Sequence, residues 1–313
     1  MFEAVISTIV PVLGCTLTGY LLVRSGLIAS GAVEILNQLV YYASFPALLF
    51  TFLARTPIAR IWQQDFLETW TLSLAVIYGL TFVVSRLFWR GGTVEASVRA
   101  MNCSCASTAF IGIPVLVIAL GKDGALPAIL ATTVIVTIFF GLTFAVIESA
   151  RHGIAASGRA LASTARSLLR NPLMLGVVFG AFSSAFLTLP KPVLALGELV
   201  GSAAIPCSLM TIGIFIAGLT ARESVAGTIG PTVIKLVVHP LVTWGIVRWV
   251  IRLDPTWAAA AMLLSALPPA TSCFVIAKQY DILVAETSGA IWLSTVLSIV
   301  SVVAVLFFMG IRP

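Results

Sequence analysis

Charge is what this sequence has least of: 10% of its 313 residues are Asp, Glu, Lys or Arg, where a soluble domain carries about a quarter. Apolar side chains make up 59%, and the mean hydropathy is +1.09. The polar surface that a soluble globule of this length needs is missing, so lipid must solvate the chain. The same numbers exclude a disordered chain, a collagen-like repeat and a disulfide scaffold. Three motifs are absent as well: G-x-x-x-x-G-K-[ST], H-E-x-x-H and G-x-S-x-G. Without them there is no machinery for an ATP-driven pump or an intramembrane hydrolase. No enzyme and no cofactor are expected. The net charge of +6 and pI near 9.3 point to orientation in a bilayer rather than to nucleic acid.

What is present is a series of uncharged runs. Asp, Glu, Lys, Arg and His are absent from 4–23, 35–54, 69–85, 100–120, 125–147, 171–190, 199–221, 257–277 and 287–311, and 230–247 differs only by Lys235 and His239. A hydrocarbon core about 30 Å thick takes roughly 20 such residues per helix. The spacing therefore predicts an all-α polytopic protein of ten transmembrane helices, with no room for a soluble domain. The start, Met1-Phe2-Glu3, lacks the basic region of a signal peptide, so the first span reads as retained. With both termini outside, the inner side holds ten Lys and Arg residues and the outer side seven. That asymmetry favours this orientation. Arg151, Arg159, Arg166 and Arg170, in the connection after the fifth span, are its clearest element.

Five spans on either side of that connection suggest a duplication: residues 1–150, a basic cytoplasmic linker at 151–170, and residues 171–313. The punctuation agrees. Tyr42-Ala-Ser-Phe-Pro46 in span two is matched by Ala203-Ala-Ile-Pro206 in span seven, and Gly112-Ile-Pro114 in span four by Pro268-Pro269 in span nine. The paired prolines lie 68 residues apart in the first half and 62 in the second. An odd number of helices per half inserts the halves with opposite orientation. Inverted repeats with interrupted helices at corresponding places are the sequence pointer to a secondary transporter's site.

The chemistry available at those interruptions suits an anion. Proline donates no backbone hydrogen bond, glycine lets the chain leave helical geometry, and proline favours a helix's first turn. A half-helix is therefore expected to start near Gly112 and Pro114, its free N–H groups carrying a charge of about +0.5. Ser107 and Thr108 stand just upstream. In span nine, Pro268 and Pro269 stop one half-helix, and Ala270, Thr271 and Ser272 lie at the restart. Meeting at mid-membrane, the two starts form a cradle for a carboxylate. Lys235 and His239 share one helical face, four residues apart. Lys235 either snorkels to the interface or is buried and functional. His239 either tunes charge and relays a proton or bonds a carbonyl freed by Pro240.

The uncharged runs contain no Asp or Glu, which removes the usual buried ligand for sodium or proton coupling. Sodium can still be held by carbonyls and hydroxyls at the breaks, so proton and sodium both stay open. Cys103-x-Cys105 has no neighbouring His or carboxylate to complete a metal site, and all five cysteines read as packing residues. Gly176-xxx-Gly180 and Gly197-xxx-Gly201 permit close helix approach, within the chain or across a dimer.

Ser107-Thr-Ala-Phe-Ile-Gly-Ile-Pro114 resembles the N-T-x-x-x-G-I-P element of the auxin efflux carrier family, whose plant members are the PIN-FORMED carriers. Ala266-Leu-Pro268-Pro269, followed by Phe274-Val-Ile-Ala-Lys278-Gln-Tyr280, is similar to the family's second-repeat element. Tyr42-Ala-Ser-Phe-Pro46, Asn171-Pro172-Leu173 and Lys235-Leu-Val-Val-His239-Pro240 follow in order. The resemblance implies a fold shared with bile-acid symporters: two inverted five-helix repeats with broken helices four and nine crossing at the substrate site. It implies a scaffold of spans one, two, six and seven, a transport domain of the other six, elevator-like movement and a homodimer through the scaffold. It also implies an organic-anion substrate, malonate or malate-like in bacterial relatives. Ser107 stands where the family has asparagine, and the short linker is that of a bacterial inner-membrane form. A sodium-coupled symporter of the bile-acid type, or a membrane sensor that binds without transporting, are the competing readings.

Overall fold

The computed structural model describes residues 2–29, 31–57, 63–89, 91–152, 172–187, 189–218 and 227–309. Most of the basic linker, from residue 153 onward, lies outside them. The described chain is helical, in chain order α1 (Phe2–Arg24), α2 (Ala32–Arg55), α3 (Gln64–Phe88), α4 (Thr93–Ser104), α5 (Thr108–Leu120) and α6 (Ala125–Arg151). It continues with α7 (Pro172–Phe186), α8 (Lys191–Gly218), α9 (Ile229–Trp249), α10 (Pro255–Ser265), α11 (Thr271–Tyr280) and α12 (Val284–Met309). Six of these, α2, α3, α6, α8, α9 and α12, are long and apolar enough to cross a membrane.

Helical geometry continues past the apolar runs at several ends. Glu286, just outside the last run, lies in the first turn of α12. The carboxylates missing from the runs are thus present in the helices, at their ends.

Prolines shape the helices through wide turns rather than through breaks alone. Val40–Ser44, Thr108–Gly112 and Ile234–Val238 are π-helical, and each is followed two residues on by proline: Pro46, Pro114 and Pro240. A tight α-turn drives the proline ring into the carbonyl four residues back. A π-turn gives it room at the cost of one extra residue. This corrects the expected start of the second half-helix in span four. The helix resumes at Thr108, and Gly112 and Pro114 lie inside it, because the wide turn absorbs the proline.

The chain forms two compact units. The smaller comprises Ile9–Gln63 and Arg166–Leu219, and so contains most of α1 with α2, α7 and α8. Its core is built on Phe45, Leu49 and Leu53 of α2 together with Leu209 and Ile214 of α8. The two glycine pairs pack within this unit. A Cβ on Gly176 would stand 2.7 Å from the Pro46 carbonyl oxygen, and one on Gly180 2.8 Å from that of Phe50. Backbone touches backbone, as small-residue helix contacts in membranes require.

The larger unit comprises Met1–Thr8, Gln64–Ala165 and Thr220–Pro313, and holds α3 to α6 and α9 to α12. Its centre is α10, buried on every side from Ala258 to Ser265. Phe66, Trp70, Leu74 and Ile77 of α3 repeat at helical spacing and are fully buried or nearly so. The smaller unit thus holds α2, α7, α8 and all of α1 but its first turns, the helices that the family resemblance assigns to a scaffold.

Candidate functional site

Two interruptions meet inside the larger unit. α4 ends at Ser104, and Cys105 (φ −76°, ψ 101°) takes the chain out of helical geometry. Ser107 (φ −74°, ψ 62°) centres an inverse γ-turn, closed by the Thr108 N–H donating to the Ala106 carbonyl at 2.8 Å. Opposite, α10 ends at Ser265, residues 266–270 are non-helical, and α11 begins at Thr271. The Ser107 N–H donates to the Pro268 carbonyl at 2.9 Å, and the Ala270 N–H to the Cys105 carbonyl at 3.0 Å. Ala106 and Pro269 thus face each other in one antiparallel bridge. Each break supplies partners for backbone groups the other has orphaned, which the membrane interior demands.

The crossing has a closed and an open side. Ser107, Thr108, Gly112, Pro114, Pro268 and Pro269 are buried, Ala270 and Thr271 half-buried, and Ser272 exposed. The Thr108 hydroxyl lies 2.8 Å from that of Thr132, whose own proton goes to the Ala128 carbonyl at 2.7 Å. Thr108 is therefore the donor of that pair and is engaged with α6. Neither Ser107 nor Ala270 caps its helix with a side chain; backbone carbonyls take the Thr108 N–H (Ala106, 2.8 Å) and the Cys273 N–H (Ala270, 2.9 Å). Gly112 lets α5 lie against α10: a Cβ there would come 2.7 Å from Leu264 Cδ2.

Lys235 and His239 sit with the opposite helix ends. Lys235 is wholly buried, its Nζ 2.8 Å from His239 Nδ1, 3.4 Å from the Ser104 carbonyl and 3.5 Å from the Ser265 carbonyl. Ser104 and Ser265 are the last residues of α4 and α10, where the helix dipoles present negative ends. Of the two alternatives for Lys235, burial holds and snorkelling does not: carbonyl oxygens inside the fold surround its amine. His239 is equally buried and stacks on Trp70, with centroids 5.8 Å apart and planes at 27°. Its Nε2 has no partner among the described residues. The carbonyl freed by Pro240 does not occupy the imidazole; instead the His239 carbonyl accepts from Thr243, which pairs with Ser73 at 2.7 Å.

Sequence reasoning missed a second polar cluster. Arg99 reads as a loop cation, yet in α4 its Nε donates to Glu286 Oε1 at 2.7 Å and its Nη2 to Oε2 at 2.9 Å. Its Nη1 donates to Ser85 at 3.1 Å, and Asn102, one turn on, donates to Thr287 at 2.8 Å. An Arg and a Glu each abutting an apolar run were the available signal. Cys103 donates to the Pro231 carbonyl at 3.5 Å. No cluster able to hold a metal occurs among the described residues.

Interrupted helices crossing within a unit, beside a buried cation, in a chain with six membrane-length helices define a membrane transporter. The chain belongs to the membrane transport protein family, the auxin efflux carrier family of the resemblance, whose model matches residues 4–306. It is 28% identical over 302 residues to a Rhizobium meliloti (strain 1021) protein named "Putative malonate transporter", covering 96% of this chain and 94% of that one. It is 27% identical over 311 residues to an "Uncharacterized transporter" of Methanothermobacter thermautotrophicus, covering 96% of this chain and 97% of that one.

Proposed function

We propose that this protein carries small organic anions, carboxylates of the malonate or malate kind, across a bacterial inner membrane by elevator-type alternating access. The observation that carries the reading is the backbone pairing of residues 105–107 with 268–270. It brings the starts of α5 and α11 together, where their partial positive charges suit a carboxylate with no fixed cation in contact. Thr271 and Ser272 donate from the open side and Ser107 from the closed side. Thr108 reaches substrate by exchanging Thr132 for it. Gly112, Pro114, Pro268, Pro269 and Ala270 shape the cradle, while Lys235 and His239 set its charge. The name of the Rhizobium relative supports malonate as the first anion to try.

In this reading ten spans form two inverted repeats, residues 1–150 and 171–313, with both termini outside. The smaller unit is the scaffold through which two copies pair, and the larger unit moves with the substrate. Uptake by Thr108→Val and Thr271→Val tests the cradle. Each variant is expected to weaken apparent affinity about tenfold, the worth of one hydrogen bond to a charged group. Unchanged affinity in both moves the site elsewhere, and strong competition by an organic cation contradicts the charge assignment.

A further inference from the structure

We propose that the groove between α9, α10 and α12 seats one acyl chain of an anionic membrane phospholipid, whose headgroup phosphate is held by Arg248. The groove has a volume of about 720 Å³, and all its lining residues belong to the larger unit. Its floor is Leu236, Met262 and Val305, which are buried, and its rims are exposed at Val237 and Leu241 on α9 and Val300 on α12. From Thr232 to Trp244 it follows twelve residues of α9, about 18 Å at 1.5 Å per residue. That is a little more than the roughly 15 Å depth of one leaflet. A slot of that length, open to the side along helices that cross a membrane, fits a hydrocarbon chain.

The walls offer a ligand nothing polar. Two hydroxyls line the groove, and both are engaged inside the fold: Ser301 donates to the Ala266 carbonyl at 2.7 Å, and Thr232 accepts from Ser294 at 3.3 Å. A polar ligand would leave its own groups unpaired there, and a methylene chain has none to leave. Every lipid chain is equally apolar, so selection falls to the headgroup. Trp244 and Phe308 close one end of the groove, their rings edge to face at 6.1 Å, and Trp249 packs on Trp244 at 4.9 Å. Indole rings favour headgroup level. Arg248 stands one turn beyond Trp244 on the same face of α9. It is exposed, and no ion pair engages it among the described residues. Arg252 is exposed as well, and the acid that follows, Asp254, is committed to capping α10, where it accepts from the Thr256 N–H at 3.0 Å. Two guanidiniums against one committed carboxylate leave this end of the groove net positive, complementary to a lipid of net negative charge. A guanidinium also grips phosphate through two parallel hydrogen bonds.

The seat requires a bilayer and is independent of the anion carried. To test it, the purified protein is placed in phosphatidylcholine nanodiscs, and phosphatidylglycerol brominated on its chains is titrated in at constant total lipid while tryptophan fluorescence is read. Brominated phosphatidylcholine is the reference for lipid that merely surrounds the protein. In the wild type, phosphatidylglycerol is expected to quench in a saturable step, reaching half of its effect at about one-fifth of the mole fraction that the reference needs. Arg248→Gln is expected to remove most of that preference. Ala304→Phe, which sets a ring into the groove from an exposed position on α12, is expected to abolish the saturable step. Both variants change exposed residues and are expected to unfold within about 2 °C of the wild type. Should Ala304→Phe fail to fold, Arg248→Gln decides alone. Equal quenching of the wild type by the two lipids overturns the proposal, as does a preference that survives both substitutions. Equal quenching together with a changed oligomeric state in Ala304→Phe assigns the groove to a second copy of the chain and overturns it too.

Discussion

The two units bury different chemistry. In the smaller unit the buried polar side chains among the described residues are hydroxyls, and those of Thr51, Ser208 and Thr211 bond a carbonyl three or four residues back on their own helix. Its ion pair, Arg55 with Glu198, is half exposed on both partners. The larger unit buries Arg99, Asn102, Lys235 and His239, the four buried polar side chains that are not hydroxyls among the described residues. Apart from the Lys235–His239 contact within α9, their hydrogen-bond partners lie on other helices or at helix ends. In the proposed elevator, a unit held by close backbone contact and self-satisfied hydroxyls is the one expected to stay still. A unit that supports buried charge has been shaped around something other than stability, since apolar residues fill such places at least as well.

The sharpest way to break this contrast is to remove the same residue type from each unit. Arg99→Met leaves Glu286 without its guanidinium in a largely buried place and is expected to cost about 3–5 kcal/mol. Arg55→Met, at an exposed pair, is expected to cost under about 1 kcal/mol. Thermal unfolding in one detergent reads both, and equal losses would erase the distinction. Next come the glycines. Gly180→Ala presses a methyl onto the Phe50 backbone, which cannot yield without moving α2, and is expected to cost about 1–3 kcal/mol. Gly112→Ala meets the flexible end of Leu264 and is expected to cost less stability but more transport, because it widens the α5–α10 contact beside the cradle. The smallest effects separate the two sides of the crossing. Thr108→Val forfeits the bond to Thr132 and is expected to lose about 1 kcal/mol of stability. Thr271→Val, half-buried at the open side, is expected to leave stability unchanged while lowering anion affinity.

Much of this was legible in the sequence because lipid imposes a coarse rule that runs of uncharged residues reveal. Pro268-Pro269 marked one of the two segments that meet, Gly112-Ile-Pro114 pointed only to the neighbourhood of the other, which lies at residues 105–107, and Lys235 and His239 stood out as the ionisable pair in an apolar run. The starting residue of α5 was not legible, because a π-turn can absorb a proline that periodicity reads as a break. Nor was the fate of Lys235: snorkelling and burial cost the sequence the same letters, and only the convergence of Ser104 and Ser265 decides between them. Arg99 and Glu286 lay 187 residues apart, each at the edge of an apolar run where a charge ordinarily means solvent.

Counterflow tests the central claim most directly. Proteoliposomes loaded with unlabelled malonate are exposed to trace labelled malonate, with Thr271→Val, Thr108→Val and empty liposomes alongside. Transient accumulation in the wild type, reduced in Thr271→Val, is the predicted result and establishes a carrier whose site is the crossing. Accumulation unaffected by Thr271→Val and Thr108→Val would place the site elsewhere. No accumulation with malonate, malate or any other small carboxylate would contradict the account.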